Sequence, residues 1–267
     1  MPFHSPDDLR YFTFDSLDHE DILHAVFTRN GGVSPRPWMS LNVGGLVGDD
    51  PARVVENRKR CFHGVGRLPV TMFDVWQVHG RDVVCTDAPR PLDIPHQKAD
   101  IILTDRPDVT LFMRFADCVP VLLYDPRRRV VGLAHAGWLG TVKRAVSSAV
   151  QAMHSRYGSN PANIIAAIGP SIAAHHYEVG LEVIDQVRAA FGADSTGLLV
   201  SPNGDGQRMY FDLWAANYLI LEQCGLRQIE MAGECTACHT EDWFSHRGEH
   251  GKTGRFGVLI GLKSGPS

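Results

Sequence analysis

A cysteine and a histidine on neighbouring apolar runs are the first candidates for chemistry. His135 lies in the small-residue run GLAHAGWLGT, and Cys118 directly precedes the run VPVLLYD. Between the runs, Asp125 and Pro126 fit the first two positions of a type I turn, on which four-residue hairpin loops are commonly built. A loop centred between Pro126 and Arg127 would pair residues whose numbers sum to 253. Cys118 would then lie directly opposite His135, with Cβ atoms about 4.5–5.5 Å apart.

That separation suits two kinds of site. A thiolate and an imidazole can share a zinc ion, or they can act as a nucleophile and its base. His79, which ends the run VWQVH at a glycine, is a third candidate. Together the three side chains would provide three protein ligands and leave a fourth position for water, as in catalytic zinc sites, which predicts about one zinc ion per chain. The alternatives are a hydrogen-bonded core histidine for His135 and a surface turn for His79.

A second group of cysteines has a weaker pattern. The stretch CTACH matches a c-type haem attachment sequence, but no export signal accompanies it and haem is not expected. A zinc knuckle at Cys235 and Cys238 would need a second pair of ligands, for which His246 and His250 are available.

The elements that must position these residues are a mixture of strands and helices. Strands are predicted at VWQVH, RDVVCT, ADIILT, VTLFMRFADC, VPVLLYD, RVVGLAHA, NIIAAIGP, IEMAGECT and RFGVLIGLK. Helices are predicted at PARVVENRKRCF after the cap Asp50, at TVKRAVSSAVQAMHSRY before Gly158, at LEVIDQVRAAF before Gly192, and at LWAANYLILEQC after the cap Asp212. The order favours an α/β or α+β fold with mixed sheets, and no boundary divides residues 1–267 into separate domains.

The composition excludes several classes of function. The 267 residues are 44% hydrophobic and 21% charged, which is an ordinary globular balance with ample length for a core. The net charge is −4 without a basic patch, so a nucleic-acid partner is not expected. No segment approaches the roughly 18 apolar residues of a membrane helix, and the first residues lack the features of a signal peptide. We expect a cytoplasmic protein whose six cysteines are thiols or metal ligands, with no membrane partner.

Motifs along nearly the whole chain resemble the laccase-domain (YfiH-like) family. This family was once called the multicopper polyphenol oxidases and is now regarded as purine nucleoside phosphorylases. The motifs are FTRNGGVS, SLNVGGLVGDDPARVVENRKR, WQVHG, ADCVPVLLYD, GLAHAGWLGT, IGPSIAAHHYEVG, FDLWAANYLIL and the ending with CT, FSHR and GKTGRF. The combination of WQVHG, ADC and HAGW is highly specific.

The resemblance implies a single four-layer α/β/β/α domain, usually a monomer. It implies a metal, generally zinc with copper as the alternative, held by His79, Cys118 and His135. The implied activities are phosphorolysis of adenosine, inosine, guanosine and methylthioadenosine, and deamination of adenosine. The chain departs from the family where His175 and His176 replace a Cys-Cys or similar pair that many members carry before YEVG. A further ligand or thiol role at that position is therefore in question.

The two implied reactions need different groups besides the metal. For deamination, zinc-activated water would attack C6 of adenine, with Asp117 as a candidate proton shuttle. Strand alternation predicts that Asp117 points away from Cys118, so a structural hydrogen-bonding role is the alternative. Phosphorolysis needs cationic or amide donors for phosphate and a proton donor for the base. The candidate phosphate and substrate donors are Arg29, Asn42, Arg58, Arg247 and Lys252.

Three other classes of function are compatible with parts of this pattern. A copper polyphenol oxidase would need several copper ions, for which one Cys/His/His set is too small. A metal-free hydrolase would use Cys118 as nucleophile and His135 as base. A binding module stabilised by zinc would hold the metal without turnover. Metal content separates the hydrolase from the others, and turnover of nucleosides separates the enzyme from the binding module.

Overall fold

Two six-stranded mixed sheets form the centre of the computed structural model, which describes residues 2–6, 8–91, 93–201 and 208–264. The strands are β1 (Phe3–His4), β2 (Tyr11–Phe12), β3 (Ile22–Phe27), β4 (Met72–Phe73), β5 (Val83–Cys85), β6 (Ile101–Thr104), β7 (Thr110–Phe115), β8 (Val119–Asp125), β9 (Val130–Ala136), β10 (Ile165–Ile168), β11 (Glu178–Val179), β12 (Leu199–Val200), β13 (Met209–Phe211), β14 (Gln228–Met231) and β15 (Phe256–Leu262). The first sheet has the order β1-β2-β3-β15-β7-β4, and the second has the order β14-β10-β8-β9-β6-β5. A small third sheet has the order β11-β13-β12.

The helices cover the outer faces of the two large sheets. They are α1 (Pro51–Gly64), α2 (Trp138–Val142), α3 (Ala145–Tyr157), α4 (Leu181–Phe191), α5 (Ser195–Leu198) and α6 (Leu213–Gln223), with a short 3₁₀ turn at Ala174–His176. The side chain of Asp50 caps α1 and that of Asp212 caps α6, as predicted from the sequence. No helix in the described part of the chain is long and apolar enough to cross a membrane.

Because side chains alternate between the two faces of each strand, the hydrophobic residues form three clusters. One lies between the two large sheets, and one lies between each sheet and the helices that cover it. Val26 and Val258 of the first sheet pack against Leu122 and Leu133 of the second sheet. The opposite face of the first sheet contacts Phe62 of α1, and the opposite face of the second sheet contacts α3, α4 and α6. This arrangement is the predicted four-layer α/β/β/α architecture, and both large sheets are mixed as expected.

The β8–β9 hairpin has a different register from the predicted one. Its paired residues sum to 255 rather than 253, so Pro120 is the direct partner of His135. The loop consists of residues 126–129, because Asp125 still pairs with Val130 as the last residue of β8. A shift of two in the sum keeps side chains on the same face, so Cys118 lies diagonally to His135 on that face.

Two further predicted elements differ from the structure. The run VWQVH is not a strand, and only an isolated bridge joins Trp76 to Lys98 before β5. The helix predicted at TVKRAVSSAVQAMHSRY is divided: Thr141 and Val142 belong to α2, Lys143 and Arg144 lie between the two helices, and residues 145–157 form α3. The division occurs at Arg144, whose left-handed backbone (φ 60°) interrupts the helical hydrogen bonds.

Candidate functional site

The three predicted metal ligands meet at the ends of several strands. One ligand atom from each of His79, Cys118 and His135 lies within 4.8 Å of the others. The two imidazole rings are edge to face, with centroids 4.9 Å apart. Cys118 directly precedes β8, His135 lies near the end of β9, and His79 has a left-handed backbone (φ 58°) before Gly80. The structure therefore brings together the three residues that the sequence singled out.

A buried carboxylate orients both histidines. Oδ1 of Asp100 lies 2.7 Å from Nδ1 of His135 and accepts a hydrogen bond from the backbone N–H of His79 at 3.0 Å. Oδ2 accepts from the N–H groups of Val78 at 3.2 Å and Gly80 at 2.6 Å. Because Asp100 engages Nδ1, the ring nitrogen of His135 that remains for a metal is Nε2.

The electrostatics of the cluster favour a thiolate. Burial alone would raise the pKa of Cys118, but the charge of His135 and hydrogen bonds from both histidines lower it below its usual value. Burial would likewise lower the pKa of His135, but the Cys118 thiolate and Asp100 raise it. These interactions favour a thiolate at Cys118 beside an imidazolium at His135. A thiolate is the form of cysteine that ligates metals.

The space around the thiolate fits a metal ion. Gly137 lies against the cluster, and a Cβ atom there would be 2.9 Å from Sγ of Cys118 and 3.1 Å from Cδ2 of His79. Glycine thus keeps the sulfur and the ring free of a neighbouring side chain. One thiolate and two imidazoles are donors that zinc prefers, and three protein ligands are the number found in catalytic zinc sites.

The cluster faces a basic cavity of about 760 Å³. This volume lies in the usual range for small-molecule sites. The lining includes the aromatic side chains of Trp76 and Tyr177 and four arginines, namely Arg58, Arg114, Arg247 and Arg255. The cavity therefore combines flat apolar faces with cations, next to the Cys/His/His cluster.

The four arginines fall into two pairs. Arg114 contacts the buried carboxylate of Asp74 at 3.0 Å, and Arg58 lies 3.9 Å from the same group. In contrast, neither Arg247 nor Arg255 forms an ion pair with a carboxylate within the described ranges of the chain. Arg247 and Arg255 are therefore the cations available to an anionic ligand.

Asp117 lines the same cavity as Cys118, but its carboxylate is bound to partners outside the Cys/His/His cluster. Its left-handed backbone (φ 82°) interrupts strand alternation just before β8. Oδ1 accepts hydrogen bonds from Thr236 and Ser245, both at 2.7 Å, and Oδ2 accepts one from the backbone N–H of Arg247 at 2.6 Å. These contacts match the structural role that was the alternative to a proton shuttle.

The other predicted substrate donors are divided between the cavity and its surroundings. Arg58 and Arg247 line the cavity, whereas Arg29, Asn42 and Lys252 are not part of its lining. Arg29 pairs with Glu249 at 3.0 Å.

Asn42 lies behind the cavity wall. Its Oδ1 accepts hydrogen bonds from the backbone N–H groups of Gly44 at 3.0 Å and Arg255 at 2.9 Å. Asn42 thus fixes the backbone of two cavity-lining residues, although it does not itself line the cavity.

Sequence reasoning missed Asp100, Arg114 and Arg255. Asp100 immediately precedes β6, and Arg255 immediately precedes β15. Polar residues at strand ends are a usable signal, but their convergence depends on the order of strands in two different sheets.

The fold and the site define a class of four-layer α/β/β/α proteins in which a Cys/His/His donor set faces a basic cavity. Residues 23–263 match the family described as multi-copper polyphenol oxidoreductase laccase, and the chain belongs to this family. It is 39% identical over 244 residues to a protein named purine nucleoside phosphorylase from Deinococcus radiodurans, covering 90% of this chain and 89% of that protein. It is 37% identical over 260 residues to purine nucleoside phosphorylase YlmD of Bacillus subtilis, covering 92% and 90% of the two chains.

Solved structures show the same fold. Protein YfiH of Bacillus licheniformis superimposes with a TM-score of 0.90 at 34% identity, covering 98% of this chain and 99% of that one. YlmD of Geobacillus stearothermophilus superimposes with a TM-score of 0.89 at 31% identity, with the same coverage of 98% and 99%. The predicted family and fold class are both confirmed.

Proposed function

We propose that this protein is a zinc-dependent purine nucleoside phosphorylase. It would convert adenosine, inosine or guanosine and phosphate into the free base and ribose 1-phosphate, and methylthioadenosine into adenine and the corresponding methylthioribose 1-phosphate. The observation that carries the proposal is the presence of the Cys/His/His cluster and of Arg247 and Arg255 in one cavity. The names of the relatives from Deinococcus radiodurans and Bacillus subtilis support it.

In this proposal the phosphate binds to Arg247 and Arg255. Guanidinium groups form charge-assisted, bidentate hydrogen bonds with phosphate oxygens. A phosphate oxygen attacks C1′ of the ribose while the bond from C1′ to the purine nitrogen breaks, and the bonding electron pair leaves with the purine. His79, Cys118 and His135 would hold zinc, which supplies Lewis-acid stabilisation of developing negative charge when it is bound.

The purine would bind against the aromatic part of the cavity. Trp76 lines the cavity and is 47% exposed, so part of its indole is accessible for stacking. Burial and the nearby Cys118 thiolate raise the pKa of Tyr177. The hydroxyl of Tyr177 therefore stays protonated at neutral pH and can donate a hydrogen bond to the departing base.

Incubation with nucleosides tests the proposal directly. Adenosine, inosine, guanosine and methylthioadenosine are incubated separately with and without phosphate, and the products are identified by chromatography. The free base and the sugar 1-phosphate should form only when phosphate is present. The variant His135→Ala should lose both products, because it removes one of three metal ligands. Release of base at the same rate without phosphate would identify a hydrolase instead.

Adenosine deamination is the second candidate activity. It is favoured by the three-donor set, which leaves a position for water beside the purine. The same incubation detects it as phosphate-independent conversion of adenosine to inosine. The hydrogen bonds that occupy Asp117 argue for a different proton carrier in that reaction.

Polyphenol oxidation, metal-free hydrolysis and metal binding without turnover are the competing functions. A multicopper oxidase reduces dioxygen by four electrons at several adjacent coppers, whereas the described residues form two separate donor groups of three and four side chains. A metal-free hydrolase would stay active after chelation, and a binding module would hold zinc without converting any nucleoside. Metal analysis and product analysis on the same sample separate these classes.

A further inference from the structure

A second group of metal-binding side chains lies outside the Cys/His/His cluster. One ligand atom from each of His175, His176, Cys235 and Cys238 lies within 4.8 Å of the others. We propose that these four residues bind a second zinc ion in a structural site with two thiolate and two imidazole ligands. The proposal is independent of the proposed function, because it concerns how the fold is held together.

Two backbone segments bring the four ligands together. His175 and His176 lie in the 3₁₀ turn Ala174–His176. Cys235 begins a tight turn in which its carbonyl oxygen accepts hydrogen bonds from the N–H groups of Cys238 at 3.2 Å and His239 at 3.1 Å. Such a turn places both sulfur atoms of a C-x-x-C sequence on one side, as zinc knuckles require.

Backbone hydrogen bonds between the two segments pre-form the site. Ser171 donates its N–H to the carbonyl oxygen of Glu234 at 3.1 Å, and its own carbonyl oxygen accepts from Thr236 at 3.1 Å. The histidine turn therefore cannot move away from the cysteine turn without breaking this pairing. A pre-formed site lowers the ordering cost of metal binding.

A polar group lies within hydrogen-bonding distance of each sulfur atom. The N–H of Ala173 donates to Sγ of Cys235 at 3.4 Å, and Nε2 of His175 lies 3.1 Å from Sγ of Cys238. The imidazole rings of His175 and His176 are 4.6 Å apart between centroids. Both cysteines are free thiols rather than a disulfide.

The donor set selects the class of metal and its role. Two thiolates carry a charge of −2 that a divalent cation neutralises, and sulfur with imidazole nitrogen in a four-donor set is typical of zinc. Four protein donors complete a tetrahedral shell and leave no position for a substrate. The second site is therefore structural, in contrast to the three-donor cluster in the cavity.

The second site supports one wall of the cavity. Thr236, between the two cysteines, donates a hydrogen bond to Oδ1 of Asp117 at 2.7 Å. The carbonyl oxygen of His176 accepts a hydrogen bond from Arg247 at 3.3 Å, and the next residue is the cavity-lining Tyr177. Zinc at this site would hold the backbone that carries Tyr177 and the carbonyl oxygen to which Arg247 donates.

Zinc stoichiometry is the first test. The protein, purified in reducing buffer, is analysed for zinc by mass spectrometry as wild type, Cys118→Ala, Cys238→Ala and the double variant. We expect about two, one, one and zero zinc ions per chain. Cys85→Ala is the matched control, since Cys85 is also an exposed free thiol but lies outside both clusters, and it should retain about two. An unchanged zinc content in Cys238→Ala would overturn the proposal.

A second test needs no variant. Alkylation of each cysteine in the wild-type protein is followed by peptide mass spectrometry with and without a zinc chelator. Because zinc ligation shields a thiolate, the chelator should accelerate alkylation of Cys238 by about tenfold. The rate at Cys85 should stay unchanged. Equal rates at Cys238 in both conditions, or a Cys235–Cys238 disulfide that persists in reducing buffer, would show that the cluster holds no metal.

The two proposals can fail separately. A wild-type protein that binds two zinc ions but shows no nucleoside phosphorolysis would overturn the proposed function alone. Phosphorolysis with a single zinc ion that Cys118→Ala removes would overturn the second site alone.

Discussion

Asp100 lies 2.7 Å from the ring nitrogen Nδ1 of His135, and both residues are buried. The carboxylate also accepts hydrogen bonds from three successive backbone N–H groups that include that of His79. A single side chain thus orients one metal-binding imidazole directly and the other through its backbone. This is the carboxylate–histidine arrangement that tunes many zinc sites.

Asp100→Asn should weaken zinc binding at the Cys/His/His cluster by about 10–100-fold. Asparagine carries an NH2 group in place of one carboxylate oxygen. This group would face either the backbone N–H groups of residues 78–80 or the ring N–H of His135, and two donors cannot form a hydrogen bond with each other. The measurement is a competition titration with a zinc chelator in the Cys238→Ala background, where only this cluster is expected to bind metal. Asp82→Asn, at an exposed position nearby, is the control. Equal affinities in the two variants would contradict the orienting role of Asp100.

Gly137→Ala should lower zinc affinity by about tenfold or more, because the new Cβ displaces the Cys118 sulfur or the His79 ring. Gly180→Ala is a matched control. Both glycines are N-cap residues with extended backbones, at φ −71° and ψ 178° for Gly137 and φ −82° and ψ 174° for Gly180. Apart from its chain neighbours, no heavy atom of the described residues lies within 4 Å of the Cβ position at Gly180. The same chelator titration of both variants isolates the effect of the added methyl group.

Arg255→Gln and Arg247→Gln should each raise the KM for phosphate by about 10–100-fold, since a hydrogen bond to a charged group contributes about 1.5–3 kcal/mol. The KM for the nucleoside should change less. Steady-state kinetics with each substrate varied in turn provide the comparison. Arg127→Gln, in the exposed β8–β9 loop, should leave both constants unchanged. A selective rise in the KM for the nucleoside would mean that these arginines bind the sugar or base instead.

Asp74→Asn should lower the free energy of unfolding at neutral pH by about 3 kcal/mol, because it leaves several cations of a buried cluster unpaired. Burial alone would raise the pKa of Asp74, but hydrogen bonds and charges from His96 and the surrounding arginines hold it well below its usual range. A folded-state pKa below the unfolded value means that the stabilisation is complete at neutral pH. It is lost as the pH falls below about 4 towards the folded-state pKa.

Denaturant unfolding at a series of pH values checks this prediction. The difference in unfolding free energy between the wild type and Asp74→Asn should narrow below about pH 4, because Asp74 of the unfolded wild type then takes up a proton that the folded state does not. Asp108→Asn, at an exposed position, should behave like the wild type throughout. A difference in unfolding free energy that stays constant across the acid range would show that Asp74 is not ionised in the folded protein.

Local sequence was sufficient to predict the Cys118–His135 pair, because both residues flank one hairpin. The predicted loop was placed one residue too early, but the pair stayed on one face because the register changed by two. The caps Asp50 and Asp212 were predictable for the same reason, since capping is a contact between near neighbours. His79 was a third candidate because it ends an apolar run at a glycine, and the family motifs implied the same residue.

Contacts between segments that are far apart in the sequence could not be predicted from local patterns. Asp100 and His135 are 35 residues apart, and His175 and Cys238 are 63 apart. The sequence offered His246 and His250 as partners for the cysteine pair, whereas the structure places His175 and His176 beside it. The proposed second site raises the expected metal content from one to two zinc ions per chain. Only the packing of the histidine turn against the cysteine turn could reveal this.

The position of β15 has a consequence for biosynthesis. This strand lies between β3 and β7 in the middle of the first sheet, although its residues follow those of β3 by more than two hundred positions. Arg255, the residue directly before β15, lines the cavity. On the ribosome, the first sheet and this part of the cavity wall therefore cannot be completed until residues 256–262 have emerged. Binding of substrate must follow translation of this segment, and the unpaired edges of β3 and β7 need protection from other nascent chains until then.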